Sequence, residues 1–455
     1  MSTAIRYYST NRSADEVTLR EALLRGQAPD LGLYLPDRVP ALSPEELGRL
    51  SELAYPEVAF EVLCRFTGGM MTEDRLREHC ADAYNFEVPL EPAGESRFLL
   101  RLDRGPTASF KDFAARMMAR WIGDCIRADG DPLTILTATS GDTGSAVAHA
   151  FLGVPNVRVI VLFPTGEVSQ RQRRQMTTLG GNVTTVAVDG KFDDCQAMVK
   201  RAFADSEFAA HRLSSANSIN IGRLLPQAVY YVYAAVRVGG PERPIVAVVP
   251  SGNFGNMMGA LLARRMGAPI ARIVVATNAN DEVPEFLRTG EYRKVVPSRE
   301  CISNAMNVGH PSNLARLVDF YGGHLDETGR MRREPDLAAL RRDIFAVSIT
   351  DDETRETIRA AWQDGGVLLE PHGAVAWVGL SRFRGAAPAD QADLPAVVVE
   401  TAHPAKFPEE IRAILGLDPP VPPSLAGLDD RPERCEPMAM DYDVFRTWLH
   451  GRLRA

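Results

Sequence analysis

The sequence predicts an α/β fold in which parallel sheets are covered by helices on both faces, with a helical addition at the N-terminus. Three observations carry this. Between residues 98 and 276 short apolar runs alternate with helix-period segments, the rhythm of parallel strands joined by helices. Before residue 92 the apolar positions recur mostly at helical spacing. The chain has 455 residues, 45% hydrophobic and 24% charged, which is ordinary globular composition and length enough for two or three domains.

The same numbers exclude several classes of function. With 51 basic against 59 acidic residues the net charge is −8, so no nucleic-acid partner is expected. No apolar run reaches the roughly 18 residues that a membrane span needs, and the opening residues 1–10 lack a signal-peptide core. Six cysteines are scattered without a Cys-x-x-Cys pair, so neither a disulfide framework nor a metal site is expected, and a reducing, cytoplasmic location fits. The chain holds only five lysines, Lys111, Lys191, Lys200, Lys294 and Lys406. That narrows the search if the chemistry needs an amine.

In chain order, amphipathic helices are expected at 18–25, 44–53 and 56–66, punctuated by Pro36, Pro40, Gly68, Gly69, Pro89 and Pro92. A strand at 98–103 leads into a helix at 110–127, with apolar rows Phe113, Met117, Trp121 and Ala114, Met118, Ile122, Ile126. Strands at 133–138 and 157–163 flank a helix at 143–151, and a polar helix follows at 168–179. The alternation continues through 183–188, 194–203, 222–238, 245–249, 255–266 and 273–276. After residue 288 the period blurs. A helix at 351–366, a buried strand at 396–400, a Pro- and Asp-rich loop at 418–437 and a last helix at 442–452 are still legible. The expected division is an N-terminal helical domain at 1–92, a catalytic core of two α/β parts at 93–415, and a C-terminal loop and helix at 416–455.

Open parallel sheets bind ligands at the carboxyl ends of their strands, and three loops there have unusual composition. Gly252, Asn253, Phe254, Gly255 and Asn256 open a helix, where glycines let the backbone approach a ligand and free N–H groups favour an anion. Thr139, Ser140, Asp142 and Thr143 form a second strand-to-helix loop, suited to a carboxylate or phosphate, although taken alone such residues are more often simple caps. The third loop sets Lys111 at the start of an apolar helix, a costly place for a charged amine. Lys406, in Ala402-His403-Pro404-Ala405-Lys406-Phe407, is its only rival. An amine, an anion cradle and a hydroxyl-rich loop together suggest a Schiff base to pyridoxal 5'-phosphate.

Ser109-Phe110-Lys111-Asp112-Phe113, Thr139-Ser140-Gly141-Asp142-Thr143-Gly144 and Ser251-Gly252-Asn253-Phe254-Gly255-Asn256 resemble the threonine synthases, fold-type II pyridoxal phosphate enzymes of the tryptophan synthase β-like class. Tyr7-Tyr8-Ser9-Thr10, Thr277-Asn278-Ala279-Asn280-Asp281 and Thr401-Ala402-His403-Pro404-Ala405-Lys406-Phe407 resemble the longer form of that family, so the likeness spans almost the whole chain. It implies two parallel-sheet domains and Lys111 as the catalytic amine that carries the cofactor. It further implies Gly252, Asn253, Phe254, Gly255 and Asn256 around the cofactor phosphate, and Thr401 at the ring nitrogen. Thr139, Ser140, Asp142 and Thr143 are implied at the substrate carboxylate. Asn217, Ser218 and Arg223 are implied at the substrate phosphate, where an arginine fork can hold two oxygens at once.

The implied reaction turns O-phospho-L-homoserine and water into L-threonine and phosphate, in a monomer or homodimer. Two positions depart from expectation. Arg104 stands where the family commonly has histidine, and Asp142 puts a carboxylate where many fold-type II enzymes have an amide. The alternative within the family is a phospho-lyase that releases 2-oxobutyrate or acts on a related amino acid. A phosphometabolite-binding protein that has lost catalysis is disfavoured by the intact Lys111. A nicotinamide oxidoreductase would need a Gly-rich fingerprint after its first strand, which is absent.

Overall fold

The computed structural model describes residues 4–94, 96–240 and 242–454. Residues 1–3, where the expected N-terminal segment starts, and residue 455, where the last one ends, lie outside the described residues.

Two sheets form the body. The larger has six strands in the order Ile344–Ser348, Ile270–Thr277, Ile245–Pro250, Ala396–Glu400, Arg97–Arg101 and Leu90–Pro92. Every pairing in it is parallel except the last. The smaller has five strands, all parallel, in the order Glu436–Ala439, Val183–Asp189, Val157–Pro164, Leu133–Ala138 and Leu213–Ser214. The central strands Ile245–Pro250, Ala396–Glu400 and Leu133–Ala138 are buried at every residue. Helices cover both faces, so such strands read as continuous apolar runs in the sequence.

The N-terminal addition carries the three expected helices as Leu19–Arg25, Pro44–Leu50 and Tyr55–Leu63. Each ends a few residues before the expected stop or starts one residue later or earlier, as frayed termini do. A fourth helix, Glu73–Ala83, escaped the periodicity because its charged residues surround a sparse apolar face of Leu76, Cys80 and Ala83. Helix Tyr55–Leu63 packs on Gln227–Val238, and Tyr55 meets Tyr84 and Phe113 edge-on at 5.1 and 5.4 Å. The addition therefore shares one hydrophobic core with the larger body.

The C-terminal segment, expected as loop and helix, also adds the strand Glu436–Ala439 to the smaller sheet. The final helix, Tyr442–Arg454, packs Phe445 and Leu449 against Phe192–Ala204. A second unforeseen helix, Pro371–Ala386, lies under the larger sheet. Its run of Gly, Ala, Val and Leu is buried on most sides, so no polar face marks a helical period.

Candidate active site

The residues singled out by the sequence come together. Lys111, Thr139, Ser140, Asp142, Thr143, Asn217, Ser218, Arg223, Gly252, Asn253, Phe254, Gly255, Asn256 and Thr401 all line one cavity of about 900 Å³, mouth included. The cavity lies where strands of both sheets end: Thr139 follows Leu133–Ala138, Ser251 follows Ile245–Pro250, and Thr401 follows Ala396–Glu400.

Lys111 is placed by two backbone bonds. Phe110 N–H donates to Thr401 O at 2.8 Å, and His403 N–H donates to Ala108 O at 3.0 Å. Ala108 takes the left-handed conformation, φ 55°, to turn the chain into the helix Lys111–Asp129. Behind the lysine, Phe113, Met117 and Trp121 anchor that helix in the core. Burial pushes the Lys111 ammonium down; Asp142 opposes this, while Lys406 and Arg223 add to it.

Lys406 is not a rival amine but the partner of Asp142. Its Nζ is completely buried, 2.7 Å from Asp142 Oδ1, and donates to Thr107 O at 2.9 Å. Lys111 Nζ lies 3.6 Å from Asp142 Oδ2, and Gln172 Nε2 donates to Oδ1 at 3.0 Å. Burial alone would raise the Asp142 carboxyl, but the Lys406 and Lys111 cations hold it well below the usual carboxylate range. The carboxylate that stands where many fold-type II enzymes have an amide is thus neutralised by Lys406 and Lys111.

The loop 252–256 is a cradle with no room to spare. A Cβ at Gly252 would stand 2.6 Å from Met306 Cα, and Phe254 adopts φ 63° to lead into Gly255–Arg265. Tyr230 and Tyr231 hydroxyls donate to Asn256 Oδ1 at 2.6 and 2.8 Å. They fix the amide so that its Nδ2, buried and unpartnered, is left as a donor. An orphaned donor at a helix N-terminus fits a phosphate. Together with Lys111 and the Thr401 hydroxyl, these residues suit pyridoxal 5'-phosphate.

At the other end, Asn253 Nδ2 donates to Ser218 Oγ at 2.7 Å, which leaves the serine proton free for an acceptor in the cavity. Asn217 spends one amide proton on Ala138 O at 2.9 Å. Arg223 is 4% exposed and has no ion-pair partner among the described residues. Nη1 donates to Ala216 O at 2.7 Å, Nε has no partner, and burial lowers its pKa to about 10, so it stays cationic at neutral pH. A buried cation without a counter-charge is poised for an anion. Arg316, also buried, differs: its donors go to the carbonyls of Tyr34, Ser218 and Ile219. It ties the N-terminal addition to this end of the site.

Thr139 Oγ1 accepts the N–H groups of Gly141 and Gly144 at 2.9 and 2.8 Å, so it braces its own loop, with Ser140 and Thr143 half-buried beside it. Arg104 does not line the cavity and pairs instead with Glu91 at 3.3 Å. Sequence reasoning missed Gln172, Glu370 and His372. For Glu370 and His372 the only local signal is the Glu-Pro-His run that caps Pro371–Ala386.

Comparison with known proteins agrees with this geometry. Residues 88–399 match the family described as pyridoxal-phosphate dependent enzyme, residues 6–84 the threonine synthase N terminus, and 377–448 the threonine synthase C-terminal family. Threonine synthases from Haemophilus influenzae and Escherichia coli are 39% and 36% identical, over 97% and 98% of this chain and 99% of each relative. A crystal structure of PLP-bound threonine synthase from Brucella melitensis superposes with a TM-score of 0.91 at 37% identity, covering 99% of this chain and all of that one. The Escherichia coli enzyme's structure does so at 0.88, covering 98% and 100%. The chain belongs to the threonine synthase family of pyridoxal-phosphate dependent enzymes.

Proposed function

We propose that the chain converts O-phospho-L-homoserine and water to L-threonine and phosphate, and that its residues divide the work as follows. Lys111 would hold the cofactor through its amine and would move protons at the substrate's α and β carbons. The cofactor, when bound, supplies the electron sink that makes those carbon acids ionisable. Gly252, Asn253, Phe254, Gly255 and Asn256 would hold its phosphate, and Thr401 would meet its ring nitrogen.

Ser218 and Arg223, with Asn217, hold the substrate phosphate, and Thr139, Ser140, Asp142 and Thr143 line the end that takes its carboxylate. Asp142 and Lys406 fix the charge around Lys111. An amine that shuttles several protons works best when its pKa is drawn down toward working pH, the direction in which burial, Lys406 and Arg223 push Lys111. Arg223 carries the substrate reading: a buried cation with no ion-pair partner among the described residues, lining the same cavity as the amine, favours an anionic substrate group.

The functional division follows the segments 1–92, 93–415 and 416–455, with the catalytic core in the middle one. We read the protein as a cytoplasmic monomer or homodimer. Its six cysteines are all free, which fits a reducing compartment. Among the described residues no helix is long and apolar enough to cross a membrane.

Product analysis with purified holoenzyme and O-phospho-L-homoserine tests the activity. Equimolar threonine and phosphate, lost in Lys111→Ala, is the expected outcome. Phosphate with 2-oxobutyrate would instead establish the lyase reading.

A further inference from the structure

Thr401 does not present a free hydroxyl to the cavity. Its Oγ1 donates to Glu370 Oε1 at 3.1 Å, and Glu370 is completely buried. Glu370 caps the helix Pro371–Ala386, and the other groups around its carboxyl are donors. Gly373 N–H meets Oε1 at 2.9 Å, and His372 N–H meets Oε2 at 2.8 Å. The His372 ring completes the set, with Nδ1 2.5 Å from Oε2. Its Nε2 accepts Ala305 N–H at 3.1 Å, which assigns the ring proton to Nδ1, pointing at Glu370.

A carboxyl at a helix N-terminus, met by three N–H donors, is an ionised acceptor. Glu400, whose Oε1 takes the Glu370 N–H at 3.0 Å, is the neutral member of this acidic pair. Burial and the Glu370 charge push its carboxyl well above the usual range.

A threonine hydroxyl has one proton. Once it is given to Glu370, only lone pairs remain on the cavity side. We propose that Glu370 makes Thr401 an obligate hydrogen-bond acceptor toward the cofactor, so that the ring nitrogen is held in its protonated, cationic form. Glu370 is thus a positioning residue that acts through Thr401, and the anion, the hydroxyl and the ring N–H form one buried chain. A cationic ring withdraws electrons more strongly than a neutral one. That suits a reaction that must release protons from two neighbouring carbons. The inference rests on the placement of Thr401 at the ring nitrogen proposed above.

The test is nitrogen NMR of holoenzyme reconstituted with cofactor isotopically labelled at the ring nitrogen, for wild type, Glu370→Gln and Thr401→Val. Wild type should resonate in the pyridinium range. In Glu370→Gln the amide can turn its NH₂ to Thr401 Oγ1 and free the hydroxyl proton for the ring, so the resonance should move toward neutral pyridine. A wild-type resonance in the neutral range overturns the proposal without recourse to any variant. A protonated signal that moves with Thr401→Val but not with Glu370→Gln overturns the role of Glu370 while leaving Thr401 in place. A signal that neither substitution moves overturns the placement of Thr401 itself.

Discussion

Replacing Arg223 with methionine should stabilise the protein and cripple it at the same time. Burial holds the guanidinium at about 10, below its ordinary value, so folding with the charge in place costs roughly 3 kcal/mol at neutral pH. Because a base with a depressed folded pKa is disfavoured as a cation, this cost is fully present below pH 10 and fades only at more alkaline pH. Methionine has similar reach and no charge. It forfeits the bond to Ala216 O, worth about 1 kcal/mol, for a net gain of about 2 kcal/mol. Against that, two charge-assisted bonds to a substrate phosphate are worth roughly 3–6 kcal/mol, or about 10²–10⁴ in kcat/KM. The assay pairs thermal unfolding without substrate and steady-state kinetics with O-phospho-L-homoserine. A lowered unfolding midpoint with unchanged kcat/KM would refute the reasoning and make Arg223 a structural arginine.

Asp142→Asn leaves the buried Lys406 ammonium without a counter-ion and should destabilise by about 3–5 kcal/mol, whereas Lys406→Met leaves Asp142 with Lys111 at 3.6 Å and should cost less. The double variant should be milder than their sum; denaturant unfolding of all three checks the coupling. Gly252→Ala forces a Cβ to 2.6 Å from Met306 Cα, and a shift of the cradle costing about 1–3 kcal/mol should weaken cofactor retention tenfold or more, read by absorbance titration. Glu282 is buried with both carboxyl oxygens unpartnered, and burial with the Asp281 charge raises it to about 7. Its neutral form suits the fold, so stability should fall as pH rises from about 4.5 to 7 and level off above, and Glu282→Gln should flatten that slope in thermal scans across pH.

The parallel strands were legible because helices bury both their faces, which leaves unbroken apolar runs such as 245–249 and 396–399 in the sequence. The three loops were legible for a related reason. Glycines and hydroxyls clustered between a strand and a helix have few structural uses, and Gly252 has one that the packing against Met306 makes strict. Elements without a polar face escaped. Helix Pro371–Ala386 is buried through most of its first ten residues, and the strand Ile344–Ser348 lies at a sheet edge with mixed burial. Glu370 and His372 escaped with their helix.

Sequence by itself determined the fold class and the set of loops that converge on one cavity, because local pattern and residue chemistry fix those one segment at a time. Only the tertiary structure decided how charges are shared among them. Asp142 is met by Lys406 rather than by solvent, and Thr401 hands its proton to Glu370 rather than to the cavity. Arg223 is left without an ion-pair partner among the described residues. Such pairings join residues far apart in the chain through a low-dielectric interior, where a few ångströms settle which groups carry charge. No period or spacing in the sequence encodes those distances.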